Sequence, residues 1–61
     1  MINLKKRMSK KEILGTVRGL AKSQGMYGRL LEILEQNEEA LEYLEGQNFK
    51  DEIGLILFLE G

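Results

Sequence analysis

The run of residues 53–59 is apolar at every position except Gly54. A short run of this kind is compatible with a helix or a strand, because periodicity alone does not separate the two. No other segment is a convincing partner strand, and a lone strand would leave its backbone N–H and C=O groups unpaired. We therefore predict a helix, with apolar side chains on nearly every side.

A helix that is apolar all round has to be buried all round, and the chain has only 61 residues. A chain of this size buries about 60% of the surface that its unfolded form exposes, so it is too short to wrap the helix completely. The sequence thus predicts that part of this helix contacts a second subunit or another protein. The alternative is tight burial with a few exposed leucines, since isolated exposed apolar residues are normal. The predicted interface anchors are Phe49, Ile53, Ile56, Leu57 and Phe58.

Two helices are predicted in the first part of the chain. Ser9 followed by Glu12 is a capping-box pattern, so a first helix begins there. An apolar residue recurs at helical spacing along this segment, and Gly25 marks its end. A second helix with a broad apolar face is predicted from Met26 to about Gln36.

Two more helices are predicted after residue 36. Asn37 is a suitable N-cap for a third helix, and Gly46 is placed for the left-handed residue that ends it. Asn48, with Asp51 three residues later, is predicted to begin the fourth helix, which continues to about Glu60.

These elements predict a single all-α domain, a compact bundle of three to four short helices over residues 9–61. A basic N-terminal arm is predicted over residues 1–8. Because Met8 begins a more ordinary-looking start, residues 1–7 are expected to be either a mobile tail or an upstream extension of the reading frame. No apolar run of signal-peptide length follows the basic residues, and the seven-residue run 53–59 is far shorter than the roughly 20 residues needed to cross a bilayer. A cytoplasmic location without membrane contact is expected.

The composition argues against catalysis. The chain has no cysteine and no histidine, so it lacks a thiolate nucleophile, the usual zinc ligands and the usual neutral-pH base. Ser9, Thr16 and Ser23 have no histidine to activate them. Glutamate pairs on a short exposed helix are not desolvated enough to separate their pKa values. We expect no enzyme activity, no cofactor, no metal and no small-molecule substrate.

Charge is divided between the two halves of the chain. Residues 1–29 have eight basic side chains and one acidic one, whereas residues 30–61 have one basic and nine acidic side chains. Such asymmetry indicates either a surface for nucleic acid or membrane, or attraction between the halves. On a continuous helix Glu35, Glu38, Glu42 and Glu45 would form an acidic stripe, by default exposed to solvent, but the predicted break at Asn37 puts Glu35 on a different helix.

Two glycines four residues apart, Gly15 and Gly19, lie opposite the apolar stripe of the first helix. Lys11, Arg18 and Lys22 share this side, and the result is a flat, positive strip. Such a strip lets another backbone, a helix or a phosphate chain, approach closely. The alternative is that the two glycines arose by neutral drift in a surface helix of marginal stability and have no function.

Residues 20–34 resemble the core of a helix-turn-helix motif, with Ala21 at the helix contact, Gly25 in the turn and Leu31 six residues later. Against this, Gly28 occupies a position where a recognition helix needs a side chain, and the exposed glutamates that follow repel phosphate. A small DNA-binding regulator using residues 10–34 is therefore the alternative function. Its possible nucleic-acid contacts are Lys10, Lys11, Arg18, Lys22 and Arg29.

Three segments carry a resemblance to a family: AKSQGMYGRL at 21–30, NFKD at 48–51 and LFLEG at 57–61. Over residues 9–61 the chain resembles a group of small uncharacterised proteins of bacterial prophages and related mobile elements. The resemblance implies an accessory protein rather than an enzyme fragment, and it supplies no activity, cofactor or binding residue. From the residues themselves we expect a protein-interaction module that forms a homodimer or larger assembly, or binds a protein partner, through its C-terminal helix.

Overall fold

In the computed structural model, which describes residues 7–61, all regular secondary structure is helical. The helices are α1 (Lys10–Ser23), α2 (Gly28–Gln36), α3 (Glu38–Glu45) and α4 (Glu52–Glu60), with a 3-10 turn at Gly25–Tyr27 between α1 and α2. The all-α prediction is confirmed for these residues, as is the helical assignment of residues 53–59. Residues 1–6 of the predicted arm lie outside the described part of the chain.

The start of α1 is fixed on two sides. The Ser9 hydroxyl accepts from the Glu12 backbone N–H at 3.2 Å, and the Glu12 carboxylate accepts from the Ser9 N–H at 2.8 Å, which confirms the capping box. Met8 and Ile13, the residues before the cap and at the fourth helical position, are both buried in the core, an arrangement known as a hydrophobic staple. The Met8 N–H also donates to the Phe49 carbonyl at 2.7 Å. Met8, which the sequence placed in the arm, therefore packs with the bundle.

Helix α1 is central, because it contacts each of the other three helices. Its residues Ile13 and Val17 are fully buried, and each side chain of this kind contributes about 1.5–3 kcal/mol through the hydrophobic effect. The core cluster consists of Met8, Ile13, Val17, Leu34, Leu41, Leu44, Phe49 and Leu55.

The junctions before and after α2 are short. Met26, predicted as the first residue of the second helix, lies in the 3-10 turn, and α2 begins two residues later. At the other end Asn37 is extended, and its side-chain oxygen accepts from the backbone N–H groups of Glu39 and Ala40. The prediction that Asn37 caps α3 is therefore confirmed.

The end of α3 differs from the prediction. Gly46 has φ −67°, so the backbone stays right-handed there and the prediction of a left-handed glycine is wrong. The chain instead makes a turn through Gln47, and Asn48 is the residue with a positive φ, 61°. Asparagine tolerates this conformation better than most residues that have a Cβ. The Asn48 side chain also accepts from the Arg7 guanidinium at 3.0 Å.

The start of α4 also differs. Asp51, not Asn48, is the N-cap, and its carboxylate accepts from the Gly54 N–H at 3.0 Å. Because the helix begins at Glu52, Phe49 lies in the loop before it. The predicted boundary was three residues too early, since both asparagine and aspartate are good caps and the left-handed turn at Asn48 leaves only Asp51 to act as one.

Candidate protein-interaction surface

Helix α4 is attached to the bundle along one side. Leu55 is fully buried, and Leu59, four residues later, is half-buried against the core. The rings of Phe49 and Phe58 meet edge to face with centroids 5.2 Å apart. Near the C-terminal end, the Tyr27 hydroxyl donates to the Glu60 carboxylate at 2.8 Å. These contacts fix which side of α4 faces the protein.

The opposite side of α4 remains in solvent. Ile53 and Leu57 are four residues apart and therefore adjacent on the helix surface, and they are 66% and 65% exposed. Ile56, which is half-buried, is three residues from Ile53 and therefore adjacent to it on the helix surface. We call Ile53, Ile56 and Leu57 the outer row. Phe58, 44% exposed, lies at the margin between this side and the core.

Four of the five predicted anchors are therefore partly or largely accessible: Ile53, Ile56, Leu57 and Phe58. Phe49 is different, because only 9% of it is exposed and it belongs to the core cluster. The reason is the left-handed turn at Asn48, after which the chain directs Phe49 inward before α4 begins. The candidate surface thus consists of the outer row and Phe58.

The two charged halves of the sequence meet within the molecule. The Lys10 ammonium lies 3.3 Å from carboxylate oxygens of both Glu38 and Glu42, and the Arg18 guanidinium lies 3.3 Å from Glu35. The hydrogen bond to Glu38, with a further one to Glu42, holds the pKa of Lys10 above its ordinary value. Three of the four glutamates in the predicted acidic stripe thus pair with α1.

Of the five predicted nucleic-acid contacts, Lys10 and Arg18 are occupied by these ion pairs. Lys11, Lys22 and Arg29 are exposed and form no ion pair with another residue of the described chain. The helix that would enter a DNA groove, α2, carries exposed glutamates beside Arg29. The structure therefore does not gather the five cations into one free basic surface.

A groove of about 540 Å³ lies between α1 and the start of α4. One wall includes Gly15 and Thr16 of α1, and the other includes Ile53, the first residue of the outer row. A methyl group added to Gly15 or Gly19 would have no other atom within 4 Å, so the outward side of α1 is open at both glycines. The full lining of the groove is Met8, Glu12, Gly15, Thr16, Lys50, Asp51, Glu52 and Ile53.

The described residues offer little for other kinds of site. Within residues 7–61, no group of three carboxylate side chains is placed to hold a metal ion. None of the four helices is long and apolar enough to span a membrane. No protein-family model, curated protein or solved structure matches the chain.

The Tyr27–Glu60 hydrogen bond has a consequence for pH. Donation to the Glu60 carboxylate raises the pKa of Tyr27 above its ordinary value of 10.0. Because folding favours the neutral phenol, this stabilisation is present below pH 10 and is lost as the pH rises through the higher pKa of the folded state. In a Tyr43→Phe variant, where Tyr27 is the sole tyrosine, we expect the tyrosinate absorbance to develop above pH 10.

The matched control adds Glu60→Gln to the same background. This change keeps an oxygen acceptor but removes the negative charge, so the Tyr27 titration should move towards its ordinary range. An identical titration curve in the two variants would show that Tyr27 and Glu60 are not in contact in solution.

Proposed function

We propose that this protein is a non-enzymatic interaction module that self-associates through the outer row of α4 and Phe58. The observation that supports it is the exposure of Ile53 and Leu57, adjacent apolar side chains that are each about two-thirds exposed. Contiguous exposed apolar surface marks interaction sites more often than scattered single residues do. Removing it from water is favourable by about 25 cal/mol per Å².

A second copy of the chain is a suitable partner for this surface. In a symmetric dimer the same patch is used by both subunits, so each copy covers the outer row of the other and no chemically distinct partner is required. No charged residue interrupts the sequence between Glu52 and Glu60. Small domains without disulfides or metal sites often gain stability by oligomerising.

The test is sedimentation equilibrium of the wild-type chain and a Leu57→Glu variant over micromolar concentrations. We expect a concentration-dependent dimer for the wild type and a monomer for Leu57→Glu, because a carboxylate in the interface loses its hydration without gaining a partner. Leu57 is largely exposed in the single chain, so the variant should retain its helical circular dichroism.

Ile33→Glu is the matched control, since Ile33 is an exposed apolar residue of α2, a helix that does not contact α4. This variant should dimerise like the wild type. A wild-type chain that stays monomeric throughout this range would refute self-association. Unfolding of Leu57→Glu would instead place Leu57 in the core of the fold.

A further inference from the structure

We infer that α1 provides the other half of the dimer interface: the open side of α1 at Gly15 and Gly19 receives the outer row of a second copy. This inference rests on the proposed self-association through α4 and specifies the surface against which α4 packs.

The groove places the two surfaces on one face of the molecule. Gly15 and Thr16 form its α1 wall, and Ile53 forms part of its α4 wall. Ile53 is also the first residue of the outer row, which continues along α4 to Leu57. A protein that covers the outer row therefore extends directly over the groove and onto α1.

The size of a stable interface requires such an extension. Specific interfaces bury about 800 Å² on each partner. Helix α4 has nine residues, so it is about 14 Å long and about 10 Å wide, and its single exposed side is too small. The adjoining side of α1 is the nearest surface that can supply the remaining area.

The shape of α1 suits a helix as the occupant. Helices pack with their axes about 8–10 Å apart, depending on the side chains at the contact, and glycine permits the closest approach. Glycine also weakens a helix relative to alanine. Packing within the single chain does not require glycine at positions 15 and 19, because a methyl group added to Gly15 or Gly19 would meet no neighbouring atom within 4 Å.

The charges on the two surfaces are complementary. Lys11 and Lys22 lie on the outward side of α1 along the edge of the glycines, and neither is paired with another described residue. Helix α4 is apolar between Glu52 at its start and Glu60 at its end. The Glu60 carboxylate already accepts from the Tyr27 hydroxyl within the same chain, so Glu52 is the carboxylate of α4 that is placed to meet a lysine of the second copy. Two-fold symmetry then gives two equivalent α1–α4 contacts.

The test compares Gly15→Leu and Gly19→Leu with the wild type by sedimentation equilibrium, circular dichroism and thermal unfolding. A Cβ added at either position enters open space and leucine is the better helix former, so the helical signal should be retained and the monomer should unfold at the same or a higher temperature. In the dimer each leucine would occupy the position of the partner's α4, and we expect the dimer dissociation constant to rise about 10-fold or more for each substitution. Gly28→Leu is the matched control, because Gly28 is a helical glycine on α2 whose added methyl group also meets nothing within 4 Å.

The outcomes separate this inference from the proposed function. Weaker dimers for Gly15→Leu and Gly19→Leu, with Gly28→Leu unchanged, would support the α1–α4 contact. Unchanged dimers for both α1 variants, together with a monomeric Leu57→Glu, would overturn the contact and leave self-association through α4 intact. A monomeric wild type would overturn both.

Discussion

Phe49→Ala is expected to lower the free energy of unfolding by about 3–5 kcal/mol, the usual cost of removing a buried aromatic ring. Only 9% of Phe49 is exposed, and its ring contacts that of Phe58 edge to face. Such an aromatic pair is worth about 0.5–1.5 kcal/mol beyond the area that it buries. The loss should be measured by urea denaturation at several protein concentrations, because assembly itself stabilises the folded state.

Phe58→Ala is the informative comparison for this substitution. It removes the same ring–ring contact, but Phe58 is 44% exposed, so the loss of stability in the monomer should be smaller. If Phe49→Ala weakened association and left the unfolding of the monomer unchanged, Phe49 would be an interface anchor, as the sequence predicted, and not part of the core.

Leu55→Ala is expected to cost about 2–5 kcal/mol, the range for removing a buried leucine side chain. Leu55 is the one residue of α4 that is completely buried. A chain of 61 residues has a total stability of about 3–9 kcal/mol if it follows the usual 0.05–0.15 kcal/mol per residue. The variant should therefore lose much of its helical circular dichroism on mild heating.

Leu57→Ala makes the same chemical change on the same helix, two residues away. Because Leu57 is 65% exposed, its truncation should alter the stability of the monomer by less than about 0.5 kcal/mol, as is usual at the surface, while weakening the proposed dimer. Equal losses of monomer stability in the two variants would show that the orientation of α4 described above is wrong.

The helix starts were the most predictable features of the sequence, where a local hydrogen bond determines them. Ser9 with Glu12 and Asn37 by itself each satisfy backbone N–H groups within three residues, so nothing distant is needed to recognise them. Met8 was wrongly placed in the arm, although a signal for its packing is present, because it precedes the cap and is matched by Ile13 five residues later. The boundary of α4 was less predictable, since two capping residues compete and a backbone turn at Asn48 decides between them.

The orientation of α4 was not predictable from the sequence. When nearly every side of a helix is apolar, the pattern shows that burial is needed and does not show which side is buried. Contacts from elsewhere, namely the loop residue Phe49 and the hydroxyl of Tyr27, determine that Leu55 faces inward and Leu57 outward. In the same way, the charge asymmetry was evident from composition, while the pairing of Arg18 with Glu35 depends on how α1 and α2 cross.

The bond between the Met8 amide and the Phe49 carbonyl links the start of α1 to the loop that leads into α4. The segment between these two residues, which includes α1, α2 and α3, is thereby closed into a loop. Loosening α4 would disturb the loop that contains Phe49 and, through the backbone bond, Met8, which belongs to the same core cluster as Ile13. A second subunit that holds α4 in place would therefore also stabilise the N-terminal end of α1. It would do so without any contact between the second subunit and that end of α1.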